Sequence, residues 1–177
     1  SLLKLTDVDN TILIVDNGSQ NESSNKIINW AKEISSPPLE VPETLSYLIT
    51  PSKKTIQRIS LDNIPLTLTT GTYLMSSPEN LGFSAGNNLG LSAINIADYE
   101  FIWFLNNDTI IDTNCIKEKV NCFRNKPNLG IISATLYEMN TPNKIQLRGC
   151  NFNHFFGSTS DIISKENHYD YLSGASL

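Results

Sequence analysis

The sequence predicts an α/β domain with a mostly parallel sheet flanked by helices. Short β-branched apolar runs alternate with stretches of helical period, and that alternation is the pattern of strand–helix–strand units. The apolar runs also end in segments dense in Asn, Asp, Gly and Ser, as strands do where they pass into turns.

The first run, TILIV at 11–15, is apolar and β-branched. It reads as a strand covered on both faces. DNGSQNESS follows as a turn, and NKIINWAKEI (25–34) places Ile27, Ile28, Trp30, Ala31 and Ile34 at helical spacing. SSPPLEVPET is proline-rich and reads as a loop; SYLIT (46–50) reads as a short strand; PSKKTIQRIS (51–60) reads as exposed. Residues 35–70 together read as a variable insertion. TYLMS (72–76) is the next strand, and SAGNNLGLSAINIA (84–97) a helix with Leu89, Ala93, Ile96 and Ala97 on one face. EFIWFL (100–105) is the clearest strand of all, with Trp103 as core packing. DTNCIKEKVNCFRNK is a helix capped by Asp112 or Thr113. GIISATLYE (130–138) and KIQLRGCNF (144–152) read as further strands, and YDYLSGASL closes the chain.

Composition narrows the function. The chain has 177 residues, 40% apolar and 18% charged, which suits one globular domain with a real core. Its net charge of −5 argues against general nucleic-acid binding. Cys115, Cys122 and Cys150 form no CxxC pair and read as inert thiols in a reducing compartment. His154 and His168 are the only histidines, with no zinc-type spacing around them. No apolar run approaches the ~18 residues a membrane span needs, and the start has no signal-peptide pattern.

Chemistry can gather at the carboxyl ends of the strands, where open α/β sheets hold ligands. Three polar clusters fall there: DNGS, ENLGFSAGNN and LNNDT. Taken singly, each is an ordinary turn or cap. Asp16 ends a buried strand and can accept hydrogen bonds from a base or ribose. Gly82 and Gly86 allow close approach of backbone to a ligand, and the next helix points its N-terminus at a phosphate. Asp108 offers hard oxygen ligands suited to Mg²⁺ or Mn²⁺. Phe83 is the aromatic best placed to meet a ligand, while GCNFNHFFG suits an acceptor loop and a plain surface loop equally. Both the G-x-G-x-x-G fingerprint and the phosphate-loop motif are absent, which disfavours a nicotinamide-dependent enzyme.

ILIVDNGSQNES, NLGFSAGNNLG and FIWFLNNDT, in this order, resemble the family 2 glycosyltransferases of the GT-A fold, a Rossmann-like architecture. The likeness is to the bacterial rhamnosyltransferase-like subgroup that builds surface polysaccharides. It covers about 1–34 and 72–177, with YLSGASL matching the segment before the acceptor-side region. The resemblance implies an inverting, metal-dependent transferase. Such an enzyme moves a sugar from a nucleotide-diphosphate sugar to a saccharide or lipid-linked acceptor. Asn106, Asn107 and Asp108 stand at its D-x-D motif, with Asp108 as the ligand to Mg²⁺ or Mn²⁺. Asp16, with Asn17 and Ser19, matches the base-reading segment. Asn87 and Asn88 match positions near ribose and diphosphate, and Gly82 and Phe83 are counted with them among the nucleotide-sugar-binding residues.

This chain departs from the family pattern at Asn106, where an Asp is usual. The family's first strand and its Glu-Asp-x-Asp-like motif are also not present. The resemblance therefore implies one nucleotide-sugar-binding domain over 1–177, incomplete at both ends. The general base is expected beyond Leu177, and the missing strand between those at 11–15 and 101–105. It further implies cytoplasmic placement, with peripheral attachment at the inner face of the membrane left to segments outside this one. The alternative is a non-catalytic nucleotide- or carbohydrate-binding domain of the same fold.

Overall fold

The computed structural model describes residues 9–32, 41–48, 55–164 and 169–177. They fall into two compact units: the described residues within 6–37 and 51–102, and those within 38–50 and 103–177. Among the described residues, seven strands and three α-helices make the chain mixed α/β.

The first unit carries the parallel sheet. Strand β1 (Thr11–Asp16) pairs with β3 (Gly71–Ser76), which pairs in turn with β2 (Ile56–Arg58), giving the order β1-β3-β2. Both pairings are parallel, with Val15 opposite Met75 and Asp16 opposite Ser76. The fully covered strand is β3: Tyr73, Leu74 and Met75 are buried, Leu74 and Met75 to 1% exposure. Strand β1, expected to be covered on both faces, is half-buried along its length. Its place at the end of the strand order is the physical reason. Strand β2 lies in a stretch expected to be merely exposed. IQR is too short and polar to register as a strand by pattern, and its pairing to β3 creates it.

Helix α1 (Ser23–Lys32) turns Ala31 into the core. Helix α2 (Phe83–Ser92) is shorter than the expected 84–97. Leu66 and Ile94 form an isolated bridge, and Ile96–Asp98 form a 3₁₀ turn. Of the expected face Ala93 is buried and Leu89 half-buried, but Ile96 is 51% exposed and Ala97 exposed, and Gly86 and Gly90 complete the buried row. A Cβ on Gly90 would stand 3.1 Å from Val15 Cγ2. The helix thus lies close on β1 because its contact row has almost no side chains. Glu43–Leu48 form a 3₁₀ helix where SYLIT suggested a strand; residues 49–50 lie outside the described set, as do 33–40, 51–54 and His168.

The second unit is antiparallel, so the expectation of a mostly parallel sheet fails there. Strands β4 (Leu136–Glu138) and β5 (Thr141–Leu147) form one hairpin, β6 (Gly149–Asn153) and β7 (Ser158–Ile162) another. KIQLRGCNF is therefore two strands that break at Arg148, whose N–H bonds Ile162 O at 2.8 Å. Strand β4 takes up only the end of GIISATLYE. Helix α3 (Cys115–Asn125) matches expectation, with Asn114 at its N-cap in place of Asp112 or Thr113. The three cysteines are free thiols, Cys150 buried.

EFIWFL, the clearest expected strand, forms none. Phe101 and Ile102 are exposed, and pairing begins only at Phe104. Phe104 and Leu177 exchange two backbone bonds (2.7 and 2.9 Å), Asn106 N–H bonds Ala175 O at 3.0 Å, and Ala134 N–H bonds Ser176 O at 3.2 Å. Apolar, β-prone residues become a strand where a partner runs beside them, and among the described residues the backbone partners of 104–106 lie at 175–177.

Trp103 anchors this junction. Its Nε1–H donates to Oγ of the buried Ser176 at 3.1 Å. The ammonium of Lys119 lies 4.7 Å from the indole ring centre and donates to Ser176 O at 3.2 Å. Burial pulls the Lys119 pKa below its ordinary value, with Cys115 nearby acting in the opposite direction. Lys119→Ala removes the ring contact, the bond and the packed stem together, and is expected to cost about 1–2 kcal/mol. Lys119→Met, which keeps the stem, should cost clearly less in chemical denaturation. Equal losses would mean that the charge, and not the stem, holds the junction. Among the described residues no helix is long and apolar enough to cross a membrane.

Candidate functional site

Two polar loops meet at the carboxyl ends of β1 and β3. The first follows Asp16 and the second follows Ser76. Asp16 O accepts N–H bonds from Gly18 (2.9 Å) and from Ser77 (2.8 Å), so one carbonyl ties both loops to the end of β1. Gly18 seals the junction. It has φ +71°, and a Cβ there would lie 2.1 Å from the carbonyl carbon of Glu79, so backbone packs directly on backbone.

Asn17 joins the loops with its side chain. Its Nδ2–H donates to Asn80 Oδ1 at 3.2 Å and to Gly82 O at 3.0 Å, while its Oδ1 accepts from Leu81 N–H at 3.1 Å. Asn80 Oδ1 also accepts from Gly82 N–H at 2.9 Å. Gly86 leaves room for this amide, since a Cβ there would stand 2.8 Å from Asn17 Nδ2. Asn17 thus orders the loops with all of its amide, and Gly86 serves the same amide.

Asp16 is the ionised group of the site. Its Oδ1 accepts from Ser19 N–H at 3.1 Å, and its Oδ2 from the Ser24 hydroxyl, which lies 2.7 Å from the Ser76 hydroxyl. Partial burial pushes the carboxyl up, but the bonds from Ser19 and Ser24 outweigh it and hold the pKa below 3.8. A carboxylate has about four lone-pair sites, so these two bonds leave acceptor capacity unused. The sign of the linkage follows. The bonded carboxylate adds stability in full above its unfolded pKa, and that stability is lost as pH falls through the lower folded value. The gap in Tm between the wild type and Asp16→Asn is therefore expected to narrow as pH drops from about 5 to about 2. A gap constant over that range would remove the assigned role of the bonds.

Helix α2 opens at this site. Gly82 at its N-cap, φ +78°, supplies no side-chain acceptor, so the first-turn N–H groups remain available to an anion. Phe83, the first helical residue, is 61% exposed, and Asn88 is exposed on the following turn with Asn87 half-buried. Beside the loops, Arg58, Ser60, Asp62, Leu74 and Ser76 line an open pocket of about 260 Å³ at the ends of β2 and β3. Arg58 Nη2 donates to Asn25 Oδ1 on α1 at 2.8 Å.

Asn106, Asn107 and Asp108 belong to the second unit. Asn106 is half-buried and tied by its backbone to Ala175. The Thr109 hydroxyl donates to Asn106 O at 2.7 Å and closes the turn. Asn107 and Asp108 sit exposed at its tip. Among the described residues no group of three His, Cys, Asp or Glu side chains converges on a metal position. A lone exposed carboxylate fits a divalent ion that takes its remaining ligands from water and phosphate, as Mg²⁺ commonly does.

The structure thus brings together Asp16, Asn17, Ser19, Gly82 and Gly86, with Phe83, Asn87 and Asn88 on the adjoining helix. Sequence reading missed Ser24, Ser76, Asn80 and the Arg58 pocket. Ser76 is the last residue of TYLMS and Asn80 lies in the polar stretch after it, so position at a strand end was the available signal. Comparison with family models, with curated proteins and with solved structures finds no match to this chain.

Proposed function

We propose that this chain is the nucleotide-sugar-binding part of an inverting glycosyltransferase of the GT-A type, acting in surface polysaccharide synthesis. The observation that carries the reading is the pair of stapled loops at the carboxyl ends of β1 and β3. They hold an ionised Asp16 beside the uncapped start of α2. That arrangement suits a ligand with a hydrogen-bonding base or ribose at one end and a diphosphate at the other.

In this reading Asp16 accepts hydrogen bonds from the base or ribose, and the first turn of α2 receives phosphate oxygens. By the resemblance, Asp108 would be the protein ligand to Mg²⁺ or Mn²⁺, and Asn106 stands where the family contacts the ribose or a metal-bound water. The ion, when bound, supplies positive charge that stabilises a departing diphosphate. The acceptor, a saccharide or lipid-linked hydroxyl, forms the new bond to the anomeric carbon from the face opposite the diphosphate. The old C–O electron pair leaves with the diphosphate, and the hydroxyl proton goes to a general base. No residue of this chain is assigned as that base.

A thermal-shift panel of UDP-, dTDP- and GDP-sugars, with and without Mn²⁺, tests the reading, because a ligand that binds only the native state must raise its apparent stability. No shift with any nucleotide at millimolar concentration would sink it. Acceptor-dependent release of nucleotide diphosphate then separates a transferase from a non-catalytic binding domain of the same fold. Asp16→Ala sharpens the test. Loss of a hydrogen bond to a charged group is worth roughly 1.5–3 kcal/mol, or about ten- to a hundredfold in affinity. UDP or dTDP should therefore weaken by that much while inorganic diphosphate scarcely changes. Equal losses for both would make Asp16 a turn residue only.

A further inference from the structure

The β6–β7 hairpin ends in an apolar tip that the sugar-transfer reading does not use. Asn153 pairs with Ser158, and His154 to Gly157 form the loop between them, with Gly157 at φ +62° turning the chain back. Phe155 and Phe156 are 89% and 75% exposed, the most exposed large apolar side chains among the described residues. A soluble surface scatters apolar residues singly; here two adjacent phenyl rings share one tip.

The backbone donors of Phe155 and Phe156 are partnered, so the tip loses water cheaply. Asn153 Oδ1 accepts N–H bonds from both Phe155 (3.0 Å) and Phe156 (3.1 Å), so the backbone donors beneath the rings already have partners. Below the tip, β6 and β7 are paired from Asn153–Ser158 to Gly149–Ile162. From Gly149 to Ser160 the hairpin contains no Asp, Glu, Lys or Arg. His154 folds back against Phe152, ring centres 4.9 Å apart, which leaves the two phenylalanines foremost. Moving the tip into an apolar medium therefore strips water from no formal charge, and the donors of Phe155 and Phe156 enter already bonded.

Shape selects the medium. The two rings meet edge to face at 86°, 4.9 Å between centres, which makes a convex wedge and not a flat platform. A sugar ring stacks on a flat aromatic face and is fixed by neighbouring polar groups. Phenylalanine has no such polar handle. A convex, uncharged wedge with bonded backbone suits a soft apolar phase.

We propose that the β6–β7 hairpin is an interfacial anchor that inserts Phe155 and Phe156 into the acyl boundary of a lipid bilayer. The attachment is shallow, and apolar area supplies its strength. It does not call for anionic lipid, because the hairpin offers no basic residue between Gly149 and Ser160. The inference stands independently of the sugar-transfer reading, since neither nucleotide nor metal enters it.

The test is flotation of the 177-residue protein with neutral phosphatidylcholine vesicles. The wild type is expected to float with the lipid, equally at low and high salt. The double variant Phe155→Ser/Phe156→Ser should lose about tenfold or more in partitioning while keeping its Tm, because both side chains lie outside the core. Asn153→Ala retains both rings but frees the two N–H groups, and should also partition measurably less. In a Phe155→Trp variant, vesicles should shift indole emission to the blue, and bromine-labelled acyl chains should quench it. Absence of wild-type flotation at millimolar lipid overturns the proposal, as does unchanged flotation of the double variant. An emission shift with neutral oligosaccharide but not with vesicles overturns it in favour of an acceptor-binding loop. Self-association that depends on the two phenylalanines, without lipid binding, overturns it in favour of a contact between copies.

Discussion

Gly18→Ala is expected to force apart the two loops that build the candidate site. The added Cβ would lie 2.1 Å from Glu79 C, 2.3 Å from Asn80 N and 2.4 Å from Glu79 O. All three are backbone atoms, so no side chain can swing away. The residue also sits at φ +71°, where a Cβ costs about 1–2 kcal/mol by itself. Overpacking of this kind costs typically about 1–3 kcal/mol more. The sum, roughly 2–5 kcal/mol, corresponds to a fall in Tm of about 5–15 °C for a chain of this size. Separating the loops also breaks the Asn17 bridge, so nucleotide binding should fail even below the new Tm. Gly157→Ala is the internal control. It has φ +62°, but a Cβ there would meet nothing within 4 Å, and so it should show the backbone cost alone. If Gly18→Ala loses no more than Gly157→Ala in thermal denaturation, the loops do not pack backbone on backbone.

Asp108→Ala is expected to abolish the Mn²⁺-dependent part of nucleotide binding and leave the fold intact. Asp108 is the single carboxylate of LNNDT and is exposed at a turn tip. Removing it deletes the one anionic oxygen donor of the motif, while the turn keeps its Thr109–Asn106 bond and its tie to Ala175. Calorimetric titration of UDP and dTDP with and without Mn²⁺ reads the effect directly. The wild type should bind more tightly with the ion, and the variant should bind equally with and without it. An ion-dependent gain that survives in Asp108→Ala would place the metal elsewhere. Asn106→Asp is the converse change. It adds a second carboxylate to the turn, and more anionic charge should strengthen the ion's hold.

Much of the first unit was legible because its signals are local. TILIV and TYLMS carry β-branched and apolar side chains in short runs, and each ends in turn-forming residues whatever surrounds it. The helix read at 25–34 from period alone is observed as Ser23–Lys32, with residues 33–34 outside the described set. Asp16 drew notice for a related reason, its place at the end of such a strand, and the fold gives it local bonds to Ser19 and Ser24. By itself, then, the sequence determined the α/β character, the strands read at 11–15 and 72–76, the presence of three helices though not all their ends, and the polar loops between them.

The tertiary structure decided the rest, because the deciding interactions join residues far apart in the chain. EFIWFL has every local mark of a strand, yet the ladder needs a neighbour, and among the described residues 175–177 supply one to its end alone. IQR has none of those marks and is a strand because β3 lies beside it. The packing face of α2 escaped the apolar pattern because glycines form it, and a glycine's value appears only when Val15 and Asn17 are found against it. Asn17 itself looks in sequence like a ligand contact. In the fold its amide is taken up across 63 to 65 residues of chain by Asn80, Leu81 and Gly82. A periodicity can be read from neighbours in sequence; a hydrogen-bond partner or a close backbone contact exists only once the chain has folded.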